Sequence, residues 1–462
     1  MRETLRSPSA WAEVEFRDAK LHDARRTRRL VRLASVLAEH PGGLLPRAIE
    51  DWGDLKAAYR LLGEEDVTYD RVIDPHRRRT RAACENPGEY LLVEDTTEVD
   101  FTSHYMTEDL GWTGDGGGRG MYLHSTLALR VERWSAEQEP EVTVLGLLGQ
   151  KVWTRAPKTP DRLEKKADRL RRKRESERWS AVLDEVGGPP SGARWTFVAD
   201  REGDIYEAFE RCRAKGVEAL VRAHQPRALV GRKESIFEAA AQGAVRGRYE
   251  LALRARPGQR ARMAVVELRS AEVTIRGPYR PGRRLPPMTL NVVEAREVHP
   301  PRGVTPIRWV LLTTWAVGDE SGCLRVVKAY AKRWLIEEYH KALKTGAGIE
   351  ESQLTTAAAI RALLGILAVV AVRLLNMKLL AKVRPEEAVT AEAIGPEVLK
   401  ILEAKRGKPK GGWTHRTLLV RIASLGGFLG RKSDGLPGWQ TLWRGWDRLL
   451  YLVQGYDLAQ QQ

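Results

Sequence analysis

Two stretches of this chain set a short apolar run directly against carboxylates: EYLLVEDTTEVDF from Glu89 and RWTFVADREGDIYEAF from Arg194. Apolar runs of this length, rich in aliphatic and aromatic residues, read as buried strands. An acid at the end of such a strand is carried on rigid backbone, which suits a catalytic ligand. The chain is thereby constrained to an α/β core built on a sheet. LHSTLALRV and EVTVLGLLGQKVW read as further strands of that core.

Around the core the texture changes. The first 75 residues predict helices: Leu30, Leu33, Val36 and Leu37 recur at helical spacing after the basic run DARRTRRL, and the turn HPGGLLP separates them from WGDLKAAYRLL. From about 226 to 306, RYELALRAR, MAVVELRSAEVTI and MTLNVVEAREV alternate between Gly/Pro-rich turns, which predicts a β-rich insertion. The strand TPIRWVLLTTW follows. Residues 371–462 read as helices again, and GWQTLWRGWDRLL places Trp439, Trp443 and Trp446 on one face. That face is either core or an exposed contact between subunits. The segment 161–179, DRLEKKADRLRRKRESERW, predicts a basic, solvated helix. The resulting division is 1–75, 76–370 and 371–462.

Composition narrows the partners. With 77 basic and 61 acidic residues the net charge is +16, which favours a polyanion, nucleic acid before membrane surface. Three cysteines, Cys84, Cys212 and Cys323, show no CxxC spacing, which argues against a zinc knuckle or a disulfide framework and for a reduced, cytoplasmic setting. The N-terminal MRETLRSPSAWAEVEF has no apolar core of signal-peptide length. The most apolar stretch, 357–377, is interrupted by Arg361 and Arg373 and is expected to be a buried helix, not a membrane span.

One helical stretch, YAKRWLIEEYHKALKTGAG from Tyr330, concentrates the chemistry. At 100 degrees per residue Tyr330, Arg333, Trp334, Glu337, Lys341 and Lys344 share one strip. Arg and Lys can grip phosphate, and Trp or Tyr can stack on an unstacked base. A lone carboxylate there makes sense if it holds a divalent cation, which reverses the local sign of charge. Mg²⁺ or Mn²⁺ needs further hard oxygen ligands, and Asp95 and Asp200 at the two strand ends are the candidates. Glu94, Glu98, Asp100, Glu202 and Asp204 compete with them. Arg333 is also an i, i+4 partner for Glu337, and Lys344 a support for the helix C-terminus.

These residues resemble a family. Tyr330, Arg333, Glu337 and Lys344 reproduce the Y-(2)-R-(3)-E-(6)-K motif of bacterial insertion-sequence DDE transposases. VEDTT and ADREGDI are similar to that family's two aspartate motifs and select Asp95 and Asp200. DARRTRRLVRLASVLAEH with AAYRLL, and ASLGGFL through GWQTLWRGWD, resemble its terminal regions. The resemblance implies an RNase H-like catalytic core with a β-rich insertion, flanked by a helical DNA-end-binding domain and a helical C-terminal dimerisation domain. It implies two Mg²⁺ ions (Mn²⁺ as substitute) on Asp95, Asp200 and Glu337, and no organic cofactor. The implied activity is cut-and-paste transposition: nicking, hairpin formation and opening, and strand transfer. Double-stranded DNA, as inverted-repeat ends and target, is the implied partner of a homodimer. Trp309 and Trp334 would meet a flipped base, with Tyr330, Arg333, Lys341 and Lys344 on the strand beside it and Arg222 on a basic strand. Arg25, Arg26, Arg28, Arg29 and Arg60 would serve end recognition. A stand-alone nuclease of the same fold and a decayed DNA-binding regulator are the alternative readings.

Overall fold

The computed structural model describes residues 7–42, 44–135, 138–155, 177–253, 260–280, 283–431 and 434–460. Most of the basic segment expected as a helix over 161–179 lies outside them.

The N-terminal region is helical, as the spacing predicts. Its helices span Pro8–Phe16, Ala24–Glu39, Leu45–Ala48 and Trp52–Leu62. Asp23 and Asp51 cap two of them, each side chain accepting a hydrogen bond from a first-turn amide (2.8 Å from Arg25 and 2.7 Å from Asp54). Leu30, Leu33 and Leu37 are buried, which turns the arginines of the same helix outward. A fifth helix, Tyr69–Ala83, carries Pro75 in its interior and runs across the boundary expected at 75. It packs on the central region through the fourth sheet strand and the long helix described below.

The centre is one mixed sheet. Its strands are β1 (Gly88–Asp100), β2 (Gly111–Thr113), β3 (Gly118–Arg133), β4 (Glu141–Trp153), β5 (Ala193–Ala199), β6 (Glu218–Arg222), β7 (Ala244–Leu253), β8 (Arg262–Ile275), β11 (Met288–Val298) and β12 (Arg308–Thr313). A separate ribbon pairs β9 (Tyr279–Arg280) with β10 (Arg283–Arg284). The order is β2-β3-β1-β5-β6-β12-β11-β8-β7, with β4 also paired to β3. β1 runs parallel to β5, and β5 to β6; the other ladders are antiparallel. The β-rich stretch over 226–306 therefore continues the same sheet through β12, and also carries a helix, Ile236–Gln242. Alternation along β1 divides its side chains between two cores, Leu91 and Val93 facing one and Tyr90 and Leu92 the other.

The helix Ala357–Val383 fills the first of these cores. By length and composition it could cross a membrane, but 83% of its most apolar window is buried inside the protein. Gly365 lets it approach the Tyr69–Ala83 helix, since a Cβ there would stand 2.9 Å from Val72 Cγ1. The boundary expected at 370 falls within this helix. Beyond it come Pro396–Arg406, His415–Leu425 and Trp439–Gln460. Trp439 is buried, and Trp443 and Trp446 are half-buried against the same core. The tryptophan face is therefore covered by its own chain, and the subunit-contact reading of it is not needed to satisfy these rings.

Candidate active site and nucleic-acid interface

The two strand-end aspartates stand side by side. The β1–β5 register pairs Glu94 with Ala199, so Asp95 and Asp200 are the next residues along two neighbouring parallel strands. Strands so paired lie about 4.8 Å apart. Asp200 caps the 3₁₀ turn Arg201–Gly203, its Oδ1 accepting from the Glu202 amide at 2.8 Å. Asp95 Oδ1 accepts from the Thr96 amide at 2.8 Å. Burial pushes the Asp95 carboxyl up to about 7, and the charge of Asp200 adds to the shift; the Thr96 amide and Arg333 oppose it. Glu202 is raised as well, by burial and then by Asp200.

Glu337 approaches from a helix on the Asp95 face of the sheet. Expected as one continuous helix, the stretch is in fact two. The first, Glu320–Ala331, carries Tyr330 in its last turn, and the second spans Trp334–Lys341. At the junction, Lys332 and Arg333 between them and Leu335 and Ile336 in the second helix's first turn donate to carbonyls three residues back, a tightening that turns Arg333 inward. Arg333 binds Glu337 one turn on and stands 3.7 Å from Asp95 Oδ2. After Lys341 the chain opens into a π turn, Ala342–Gly346, of the kind frequent at functional sites.

The other residues of the expected strip separate in depth. Tyr330 is buried, its ring edge-on to half-buried Trp309 at 5.1 Å between centroids. Trp334 is 51% exposed, with Lys341 Nζ 4.4 Å from the ring centroid. Lys344 pairs with Glu350 at 3.4 Å. Arg222, at the end of β6, donates to the Arg308 carbonyl at 3.3 Å. Burial lowers its pKa, with Tyr330 opposing and Arg201 and Arg333 adding to the fall. Arg222, Arg201 and Arg333 thus form a cationic rim beside the acidic pair.

The competing acids sort by environment. Glu94 points to the opposite face and is fully buried, accepting from Thr126 Oγ1 at 2.8 Å with His124 Nε2 at 3.1 Å. Asp204 is held by Arg227 and by the amides of His224 and Gln225. Glu98 accepts from the Gly114 amide, and Asp100 from Thr102. Only Glu202 remains beside Asp200. His340 is buried and its pKa is lowered to about 3, chiefly by that burial.

Sequence reasoning missed Gln150. This buried β4 side chain donates to Ser125 Oγ at 2.7 Å and to Tyr339 OH at 2.9 Å, and accepts from Tyr69 OH. Ser125 is the cross-strand partner of Asp95, and Tyr339 lies two residues beyond Glu337. A glutamine at the inward position of an otherwise apolar strand, LGLLGQKVW, is the signal that could have found it.

In the N-terminal region the basic residues divide. Arg26 is held by Glu64 and Asp66, Arg29 by Asp54, and Arg25 by Asp23. Arg28 and Arg60 are exposed, Arg60 on the same helix face as Trp52, Lys56 and Tyr59.

The acidic group has partial features of a divalent-cation site. Its oxygen donors have the right chemistry for Mg²⁺, and mutual repulsion between Asp95 and Asp200 is what a cation would relieve. Among the described residues, however, no three His, Cys, Asp or Glu side chains stand close enough to enclose an ion, and the Glu337 carboxylate is engaged by Arg333. The aspartate pair fits as a partial site with Glu337 next to it.

Residues 8–67 match the family described as transposase DNA-binding. The match covers the first four helices and supports a DNA-binding transposase with DNA as its partner.

Proposed function

We propose that this protein is a cut-and-paste DNA transposase with an RNase H-like core, which binds transposon ends, cleaves them by metal-dependent phosphoryl transfer through a DNA hairpin, and joins them to target DNA. The observation that carries this reading is the adjacency of Asp95 and Asp200 on parallel strand ends, with Glu337 linked to Asp95 through Arg333. The N-terminal transposase DNA-binding match supplies the substrate class. A β1 strand parallel to β5 and antiparallel to β3 is consistent with the core fold. The Y-(2)-R-(3)-E-(6)-K spacing supports a reading within the insertion-sequence family, and the hairpin step rests on the chain's likeness to the transposase of transposon Tn-five.

Asp95, Asp200 and Glu337 would hold Mg²⁺ or Mn²⁺, two ions per site. Bound there, the ions would activate the attacking oxygen and stabilise the departing one. The protein's own groups do the positioning. Arg333 keeps Asp95 and Glu337 in register, and its guanidinium offers a cation to the scissile strand. Lys341 and Lys344 extend that positive side. The exposed Trp334 ring offers a surface for a flipped base, and Trp309, backed by Tyr330, offers a second. A homodimer on two paired ends is part of the proposal, through a contact other than the covered tryptophan face.

The test is joining of paired-end duplexes to target DNA with Mg²⁺. Asp200→Asn and Glu337→Gln should each reduce cleavage by about three orders of magnitude, equivalent to several kcal/mol of lost charge stabilisation, while duplex binding survives. Cleavage without any joined product would favour a nuclease. Undiminished cleavage by either variant would remove the assignment.

A further inference from the structure

A cavity of about 560 Å³ opens on the other side of the aspartate pair from Trp309. Strand order fixes this: Trp309 lies on β12, Asp95 and Asp200 on β1 and β5, and the cavity's aromatic wall on β3 and β4. That wall is the cross-strand pair Tyr122 and Trp153, stacked at 5.5 Å between centroids and 16° between planes. Each ring carries a guanidinium, Arg155 over Tyr122 and Arg178 over Trp153, both at 3.7 Å. The opposite wall comes from the residues that follow the two acids, Thr96 and Thr97 after Asp95, Arg201 and Glu202 after Asp200.

The chemistry of this lining is specific. Planar guanidinium groups on aromatic rings form a platform on which a nucleobase can stack. Glu98 and Glu202 also face the cavity, so it is not a plain phosphate funnel. Three guanidinium groups, of Arg155, Arg178 and Arg201, against Glu202 and the already hydrogen-bonded Glu98 and Asp204, with threonine hydroxyls between them, suit a base with one phosphate better than a run of backbone.

We propose that this cavity holds one unstacked nucleotide of a DNA single strand, its base on the Arg155–Tyr122–Trp153–Arg178 stack and its phosphate toward Arg201. The source of that strand, the flank of a cut end or a separate target strand, rests on the transposase reading. The binding site itself does not.

Fluorescence anisotropy of the full chain, without divalent metal, tests it with a labelled oligothymidine of about six nucleotides. Wild type should bind this strand. Arg155→Ala with Arg178→Ala, and separately Trp153→Leu, should each weaken binding about tenfold, in line with the cost of losing one stacking contact. Blunt-duplex affinity should be unchanged, and a melting curve for each variant checks that it folds. Arg178→Gln alone, half-buried in the first turn of the helix Glu177–Val186, should weaken single-strand binding in the same direction if a double variant does not fold. The same oligothymidine presented as an overhang on a duplex assigns the source: tighter binding than the free strand indicates the flank of a bound end, equal binding a separate strand. Absence of single-strand binding, unchanged affinity in folded variants, or an equal loss for blunt duplex would overturn the cavity assignment. Those outcomes leave the transposase reading standing, whereas intact metal-dependent cleavage by Glu337→Gln removes that reading and leaves the cavity assignment standing.

Discussion

Arg333 Nη1 stands 3.7 Å from Asp95 Oδ2 while the same guanidinium is bound to Glu337, so one cation bridges a strand-end acid and a helix acid. Without it the Asp95 carboxyl loses the charge that restrains its upward shift. Arg333→Gln should therefore raise the Asp95 pKa further and reduce cleavage about 100-fold or more, because an uncompensated acidic group repels the scissile phosphate. Duplex affinity should fall far less than the cleavage rate, since end recognition rests mainly on the N-terminal helices. Carboxyl chemical shifts followed against pH, together with cleavage rates, check both halves.

The pH dependence has a definite sign. Asp95 titrates near 3.8 unfolded and at about 7 folded, so between those values the folded state holds the extra proton. Stability contributed at this site is present at low pH and falls as pH rises through that window. In metal-free buffer Asp95→Asn should then melt higher than wild type at pH 8 and almost equal to it at pH 4. Stabilisation by added Mg²⁺ should grow from pH 5 to 7, since the ion competes with the proton, and should level off above. Thermal melts over this range, with and without Mg²⁺, decide it.

Gln150→Leu removes the partner of three buried hydroxyls at once, on Tyr69, Tyr339 and Ser125. Leaving a buried polar group unpaired costs about 1–3 kcal/mol, so a loss of roughly 3 kcal/mol or more is expected from the set. Since two of these hydroxyls flank Asp95 and Glu337, cleavage should fall by more than end binding does. Denaturant melts and single-turnover cleavage separate the two effects.

The N-terminal arginines should not behave alike. Arg60→Glu, on an exposed face, should weaken duplex binding and lower the salt slope by about 1. Arg26→Glu would instead place a third acid against Glu64 and Asp66, and should lower the melting temperature of the folded chain. Binding titrations at several salt concentrations distinguish a lost phosphate contact from a destabilised domain.

Much of the frame was legible in the chain itself. Apolar runs ending at Asp95 and Asp200 could be read because a buried strand needs consecutive apolar residues, and the N-terminal helices because Leu30, Leu33 and Leu37 keep one face. The break at Lys332 was hidden: both flanking segments have helical periodicity, and only the hydrogen bonds to carbonyls three residues back separate them. The continuity of the insertion with the core was hidden too, since strand pairing between β12 and β6 joins residues far apart in sequence. The burial of Tyr330 and of Trp439 depends on elements elsewhere in the chain, which no periodicity reports.

The ladder from β6 through β12 to β11 and β8 makes the stretch over 226–306 mechanically part of the floor beneath the acids. Trimming it away would strip β12 of its outer neighbour and leave a raw row of amides and carbonyls two strands from Asp200, open to pairing with any passing chain. A shortened version of this protein would meet aggregation before it met DNA.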